Sequence, residues 1–302
     1  MQILITGGTG FIGKALCRRL LQQGHRLTVF SRQTPDRVRR ICGDAVTPLS
    51  SLDALSTRAG FDAVVNLAGE SIAGGRWTEA RKQLLWDSRV GLTAELVDFI
   101  ATAETKPGVM VSGSAVGYYG NRGDTPLDED SDGVDDFSHR LCVVWEKEAA
   151  RAAEHGVRVC ILRTGLVVGR DGGFLQRLLP LFRLGLGGRI GSGRQWMSWI
   201  HLDDHIGVTE HLLDNAHLDG IFNATAPNPV TNREFTTCLA RVLHRPAFLP
   251  VPAIALKLAL GEMAELLLGG QRVLPTRLQH EPFRFRYERL EAALREAIEL
   301  EG

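Results

Sequence analysis

Residues 5–13 read ITGGTGFIG, with Gly8, Gly10 and Gly13 in the G-x-G-x-x-G spacing of a turn that grips phosphate. Gly8 permits the tight turn, Gly10 lets the backbone approach a pyrophosphate, and Gly13 lets the following helix pack closely on the strand before it. The apolar run 2–6 supplies that strand. A helix opening at Phe11 and Ile12 presents free N–H groups and its positive dipole end to the phosphates. With both flanks in place, Gly7, Gly8, Gly10, Phe11, Ile12 and Gly13 are the expected cradle of a dinucleotide, ahead of a glycine turn that merely reverses the chain. An NAD site carries an acid about 20 residues beyond the glycines to bind the ribose hydroxyls. Here the second strand ends in Ser31-Arg32, with no acid before Asp36. Arg32 can pair with a 2′-phosphate, so NADP(H) is the expected cofactor; the other reading of Arg32 is a solvated surface arginine.

Other strand ends open onto the same crevice, because ligands bind outside the carboxyl ends of parallel strands. They carry Leu67-Ala68-Gly69-Glu70, Ser112-Gly113-Ser114 and Thr164-Gly165-Leu166. Small residues there let a flat ring and ribose lie against backbone, although each also reads as ordinary turn chemistry. No metal is expected: the five cysteines (17, 42, 142, 160, 238) show no CxxC pair and no histidine at ligand spacing. An odd cysteine count without a disulfide framework fits a reducing compartment.

These residues need a parallel sheet to hold them. Apolar runs at 2–6, 26–30, 61–69, 108–116, 157–163 and 220–226 read as strands, and helical stretches lie at 11–21, 78–103 and 137–155. Such alternation implies right-handed βαβ units and a Rossmann-type, doubly wound α/β sheet. The texture changes after Gly169, so residues 1–169 are expected to form the dinucleotide-binding domain and 170–302 a smaller C-terminal α/β lobe covering the substrate, with the chain crossing between them. In that second part, 183–196 is a glycine-rich loop, and 198–206 runs from strand into helix with Asp203 or Asp204 as its N-cap. Thr231 and Glu234 form a capping box, Pro252 opens one apolar-faced helix reaching 269, FRFRY (283–287) alternates like a strand, and 288–300 is an amphipathic helix.

The chain has 302 residues, 44% hydrophobic and 23% charged, which is ordinary for a folded protein. Thirty-five basic and 35 acidic side chains cancel, leaving no global field to draw nucleic acid or an anionic membrane. No apolar run reaches the roughly 18 residues of a membrane span, and the first residues enter the glycine turn without the cationic start of a signal peptide. A cytoplasmic protein with a small-molecule ligand at the lobe interface is expected; oligomeric state is not readable.

TGGTGFIG at 6–13, NLAG at 66–69, SGSAVGYYG at 112–120 and WIHLDDHI at 199–206 resemble the extended short-chain dehydrogenase/reductase superfamily, which includes nucleotide-sugar epimerases and dehydratases. NLAGESI, RTGLVVGRDGG and RLGLGGRIGSG are similar to an atypical branch of NAD(P)-dependent epimerase-family proteins with its own C-terminal extension. The resemblance covers essentially the whole chain. It implies an NADP-binding Rossmann lobe in which Ser31, Arg32, Leu67, Ala68 and Arg89 touch the cofactor, with Gly69 and Ser112 alongside; Arg89 otherwise reads as an exposed helix arginine.

The chain departs from that superfamily in its chemistry. Superfamily catalysis resembles a serine plus a Tyr-x-x-x-Lys pair, and the tyrosines here, 118, 119 and 287, are followed four residues on by Arg122, Gly123 and Glu291. Aligned by the trailing acid Glu146, Ser138 takes the tyrosine place and Cys142 the lysine place. A serine hydroxyl is too weak an acid alone, and cysteine carries no fixed positive charge. Ser114 matches the serine that meets a substrate oxygen, or it caps a strand end. Tyr118 and Tyr119 follow on the same loop and either supply the proton or pack as aromatics. Cys142 reads as a buried small hydrophobe, Lys147 as solvated, and His201 as a structural histidine or an interlobe contact. Two functions are consistent with this pattern: an NADP(H)-dependent oxidoreductase or epimerase of a small or sugar-like substrate, and a non-catalytic NADPH-binding sensor.

Overall fold

A computed structural model of the chain describes residues 1–170 and 172–299. The first half runs β1 (Gln2–Thr6), α1 (Phe11–Gln22), β2 (Arg26–Phe30), α2 (Pro35–Cys42), β3 (Thr47–Leu49), β4 (Ala63–Asn66), α3 (Glu79–Trp86), α4 (Leu92–Thr102), β5 (Val109–Ala115), β6 (Pro126–Leu127) and α5 (Phe137–Ala150). It continues through β7 (Arg158–Thr164), β8 (Leu166–Val168), α6 (Gly173–Arg183), β9 (Trp196–Met197), β10 (Trp199–His201), α7 (Leu202–Asp214), β11 (Gly220–Ala224), β12 (Val230–Thr231) and α8 (Asn232–Val242). The last elements are α9 (Ala253–Leu260), α10 (Glu265–Leu268), β13 (Arg272–Val273), α11 (Thr276–His280) and α12 (Leu290–Glu299).

Seven strands form one sheet in the order β11-β7-β5-β4-β1-β2-β3, every neighbouring pair parallel. This is the expected Rossmann-type α/β fold. Strand periodicity divides the core. Ile3, Ile5, Val65, Val111 and Leu162 face α1, α2 and α7, while Leu4, Val64, Met110 and Ile161 face α4 and α5. Both faces are covered, so the central strands are apolar throughout. The strand order reverses between β1 and β4, which opens a crevice at their carboxyl ends. A third cluster joins Phe182 of α6, Trp199 of β10, Phe235 and Leu239 of α8, and Ala293 and Leu294 of α12. The outermost strand β11, Gly220–Ala224, comes from beyond residue 170 and lies beside β7.

Several expectations need correction. Residues 283–287 form no strand; the amides of Arg286 and Tyr287 instead donate to the Asp204 carboxylate at 2.7 and 3.0 Å. The stretch 253–269 is not one helix, because Gly261 takes φ +60° and a 3₁₀ turn, Gly261–Ala264, separates α9 from α10. Neither Asp203 nor Asp204 caps α7. The cap is His201, whose Nδ1 accepts from the Asp203 amide at 3.2 Å while its Nε2 meets Glu296 at 2.9 Å, which makes it a structural histidine. α2, β3, α6 and α11 add to the elements expected from the sequence. Between α3 and α4 the helix widens into a π-helical turn, Asp87–Gly91.

Candidate functional site

Gly7 takes φ +68°, the left-handed region that glycine adopts without strain, and turns the chain out of β1. A Cβ on Gly7 would stand 2.4 Å from the Leu67 carbonyl oxygen, and one on Gly13 would stand 2.2 Å from that of Gly7. The turn and α1 are therefore packed backbone to backbone, which only glycine allows. Gly10 is the N-cap of α1, with no side-chain cap and no acid in the first turn. The first amides of this helix are free to bind an anion. From below, Cys42 donates to the Gly8 carbonyl at 3.2 Å. The Phe11 ring packs away from the turn onto the chain after β8: Cβ atoms on Gly169, Gly172 or Gly173 would fall 2.3–3.1 Å from it. That contact is a physical reason for glycines in the GRDGG phrase.

The adjoining strand ends are tied together by buried hydroxyls and one amide. Thr6 Oγ1 donates to Asn66 Oδ1 at 2.7 Å, and Asn66 Nδ2 donates to Thr93 Oγ1 at 2.8 Å and Ser112 Oγ at 3.2 Å. The Trp145 indole donates to the same Thr93 oxygen at 3.0 Å. Ser112 is thus fully buried behind the crevice rather than in it. In the sequence Thr6 and Asn66 stand only as the first residues of TGGTGFIG and NLAG, and Thr93 and Trp145 carry no signal. Together they fix Leu67 and Ala68, whose amides bond the Thr6 carbonyl and hydroxyl at 3.2 and 3.3 Å.

Just past the end of β2, the Ser31 amide bonds the Leu49 carbonyl at 2.9 Å and its hydroxyl accepts from the Gln33 amide at 3.2 Å. The Arg32 side chain is 77% exposed and reaches Glu70 Oε1 at 2.9 Å. That bond, chiefly, holds the Glu70 carboxyl below its ordinary range. Arg89, in the π-helical turn, lies against Gly69, with its guanidinium 5.4 Å from the Trp145 ring and Nη2 donating to the Glu70 carbonyl at 2.9 Å.

On the other side of the crevice, α5 turns Ser138, Cys142 and Glu146 toward the end of β5, one helical turn apart. Ser114 donates to Glu146 Oε1 at 2.6 Å. Arg163 of β7 grips the same carboxylate with Nε and Nη2, each at 2.9 Å. Burial pushes the Cys142 thiol up to about 11, which keeps it neutral. Tyr119 is fully buried, bonded to Asn223 Oδ1 at 2.7 Å and to Arg163 Nη1 at 3.1 Å, and burial pushes its phenol up to about 12. Tyr118 stacks over the Arg163 guanidinium at 3.3 Å and meets Tyr119 edge-on at 5.3 Å. The structure thus gathers Ser114, Tyr118 and Tyr119 around one buried arginine. Thr164, at the end of β7, bonds His205 Nε2 at 3.0 Å. Lys147 is exposed, as read from its helical register.

Comparison with known proteins fits this geometry. Residues 3–224 match the NAD dependent epimerase/dehydratase family, and residues 251–297 match a domain of unknown function. A chloroplastic epimerase family protein of Arabidopsis thaliana is 39% identical over 98% of this chain and 86% of its own length. The epimerase family protein YfhF of Bacillus subtilis is 39% identical over 99% and 98%. The crystal structure of the human epimerase family protein SDR39U1 with NADPH superposes with a TM-score of 0.90 at 37% identity, covering 99% of each chain. A UDP-glucuronic acid 4-epimerase from Bacillus cereus, at 17% identity and a TM-score of 0.77, shares the fold. Among the described residues, no helix is long and apolar enough to cross a membrane, and no His, Cys, Asp and Glu residues gather into a metal site.

Proposed function

The chain belongs to the NAD dependent epimerase/dehydratase family, and from that premise we propose that it binds NADP(H) and acts as an oxidoreductase or epimerase on a small or sugar-like substrate. The observation that carries this reading is the glycine turn, backbone packed on backbone with the first amides of α1 uncapped and an exposed Arg32 just past β2. The NADPH in the human relative's crystal structure supports the phosphorylated form of the cofactor. When bound, the cofactor supplies hydride chemistry, and the protein supplies orientation and electrostatics.

In this reading the α1 amides and Gly7–Gly13 hold the pyrophosphate, Ser31 and Arg32 the phosphorylated ribose, and Leu67–Gly69 with Arg89 flank the dinucleotide. Ser114 has committed its proton to Glu146, so its free lone pairs accept a hydrogen bond from a substrate hydroxyl. A substrate lying between the two parts of the chain is oriented in this way and not protonated by Tyr119. Proton transfer by a positioned acid is worth about 10²–10⁴-fold, so turnover without the Tyr-x-x-x-Lys pair is slow rather than absent. A second reading, an NADPH-binding sensor with no turnover, draws on the same observation that Tyr119 and Cys142 are held neutral and buried.

The test starts from the nucleotide that copurifies with the protein and from fluorescence titrations with NADPH and NADH. A panel of carbonyl compounds and nucleotide sugars then follows. Tighter binding of NADPH and oxidation of it by at least one substrate are expected. No binding of either reduced nucleotide would overturn the proposal, and tight NADPH binding without turnover would favour the sensor.

A further inference from the structure

The carboxylate of Glu70 has no part in the reading above, yet it holds the one side chain expected to meet a 2′-phosphate. Its backbone is fixed at both ends: the amide donates to Ser88 Oγ at 3.0 Å, and the carbonyl accepts from Arg89 Nη2 at 2.9 Å. The carboxylate is therefore presented at the crevice mouth by a clamped residue. There Oε1 takes Arg32 Nη2 at 2.9 Å and Oε2 lies 3.6 Å from Arg81 Nη1. The two cations differ. Arg32 is 77% exposed, on the chain just past β2, whereas Arg81 is 18% exposed and anchored through Nη2 to the Ser71 carbonyl at 2.5 Å.

Resting on the NADP(H) reading, we propose that Glu70 is a positioning residue for cofactor choice, a counter-ion that holds Arg32 across the crevice mouth and is exchanged for the 2′-phosphate when NADPH enters. A phosphate dianion offers more charge and three acceptor oxygens to a guanidinium fork, so it outcompetes one carboxylate oxygen. The displaced carboxylate is not stranded, because Arg81 still faces it. NADH brings no anion to this point and leaves the Arg32–Glu70 pair intact. Glu70 thus opposes NADPH binding modestly and leaves NADH binding untouched, which narrows a preference that Arg32 alone would make wider. Arg81 also ties the carboxylate to the segment beyond it, whose Ala73 carbonyl accepts from Arg177 of α6 at 2.7 Å.

The experiment compares the full chain with Glu70→Gln, Arg32→Ala and the double variant, titrating NADPH and NADH by fluorescence and 2′,5′-ADP by calorimetry. Glu70→Gln is expected to bind NADPH and 2′,5′-ADP about two- to fivefold tighter, the range that an exposed ion pair supports, with NADH unchanged. In the Arg32→Ala background the same substitution is expected to do nothing. Glu70→Asp, one methylene shorter, is expected to shift NADPH in the same direction and stands in should Glu70→Gln not fold. A gain that persists without Arg32, a gain shared by NADH, or a loss of NADPH affinity would overturn the exchange. If Arg32→Ala weakens NADPH selectively while Glu70→Gln is silent, only this inference falls. If the unaltered chain holds NADH as tightly as NADPH and Arg32→Ala weakens both alike, the NADP(H) reading falls and takes the exchange with it.

Discussion

Arg32–Glu70 and Arg163–Glu146 are the same chemical pair in two settings, each with Nη2 2.9 Å from a carboxylate oxygen. At the crevice mouth the side chains are 77% and 27% exposed; beneath the end of β5 they are 2% and 8% exposed. Water screens the first pair, which either partner can leave. For the second, burial opposes the Arg163 charge, but the two-pronged bond to Glu146 outweighs that and raises its pKa. Ser114, Tyr119 and the Tyr118 ring close around it. Equal distance therefore hides opposite settings: one pair is exposed and free to part, as the proposed exchange requires, and the other fixes where Ser114 points.

The most severe way to break this contrast is to halve the buried pair. Arg163→Leu leaves the Glu146 charge without its cation and is expected to cost about 3–5 kcal/mol in urea unfolding, with Glu146→Leu added on top recovering much of the loss. A cost as small as that of a surface pair would erase the distinction. Next in size, Arg32→Ala is expected to leave stability alone and to weaken NADPH by about 10- to 100-fold, the worth of one charge-assisted hydrogen bond of roughly 1.5–3 kcal/mol, with NADH little changed.

The buried side also sets the acid limit of the fold. His205 is fully buried, and desolvation pulls its pKa from 6.5 down to about 4. Between those values the unfolded chain takes up the proton before the folded one does. Stability is thus complete above about pH 6.5 and is lost as pH falls toward 4, by about 1–3 kcal/mol. Thermal melts across that range should steepen at the acid end, and His205→Gln should flatten them. The smallest effect sharpens the exposed side: raising salt from about 0.05 to 0.5 M should shrink the preference for NADPH severalfold through screening, while the cost of Arg163→Leu barely moves.

The sequence reveals the parts of this molecule that depend on backbone geometry. Gly7, Gly8, Gly10 and Gly13 are legible by their spacing, with Gly7 and Gly13 standing where backbone leaves no room for a Cβ, and Arg32 is legible because the end of β2 lies at a known register from that turn. The two acids paired with the arginines are not legible in this way. Glu70 lies 38 residues from Arg32 and Glu146 lies 17 from Arg163, and no periodicity links either pair. Glu146 serves in the sequence only as a marker for alignment, and its bond to Ser114 comes from how α5 docks on β5. β3 escapes notice because three residues with a proline among them are too short for a pattern. Residues 283–287 alternate like a strand, but the Asp204 carboxylate takes the amides of Arg286 and Tyr287 that a neighbouring strand would have used.

The π-helical turn Asp87–Gly91 carries one residue more than a regular helical turn accommodates. Each residue of an α-helix advances the side-chain direction by about 100°, so that surplus residue sets the phase at which Ser88 and Arg89 arrive beside Glu70. Shortening the stretch by one position would let α3 run straight into α4 as a plain cylinder. Its apolar stripe would then be spun out of register with the sheet on one side of the cut. A single-codon deletion here would therefore act as a rotation of half a helix, and would release the clamp on Glu70 by swinging Ser88 and Arg89 away from it.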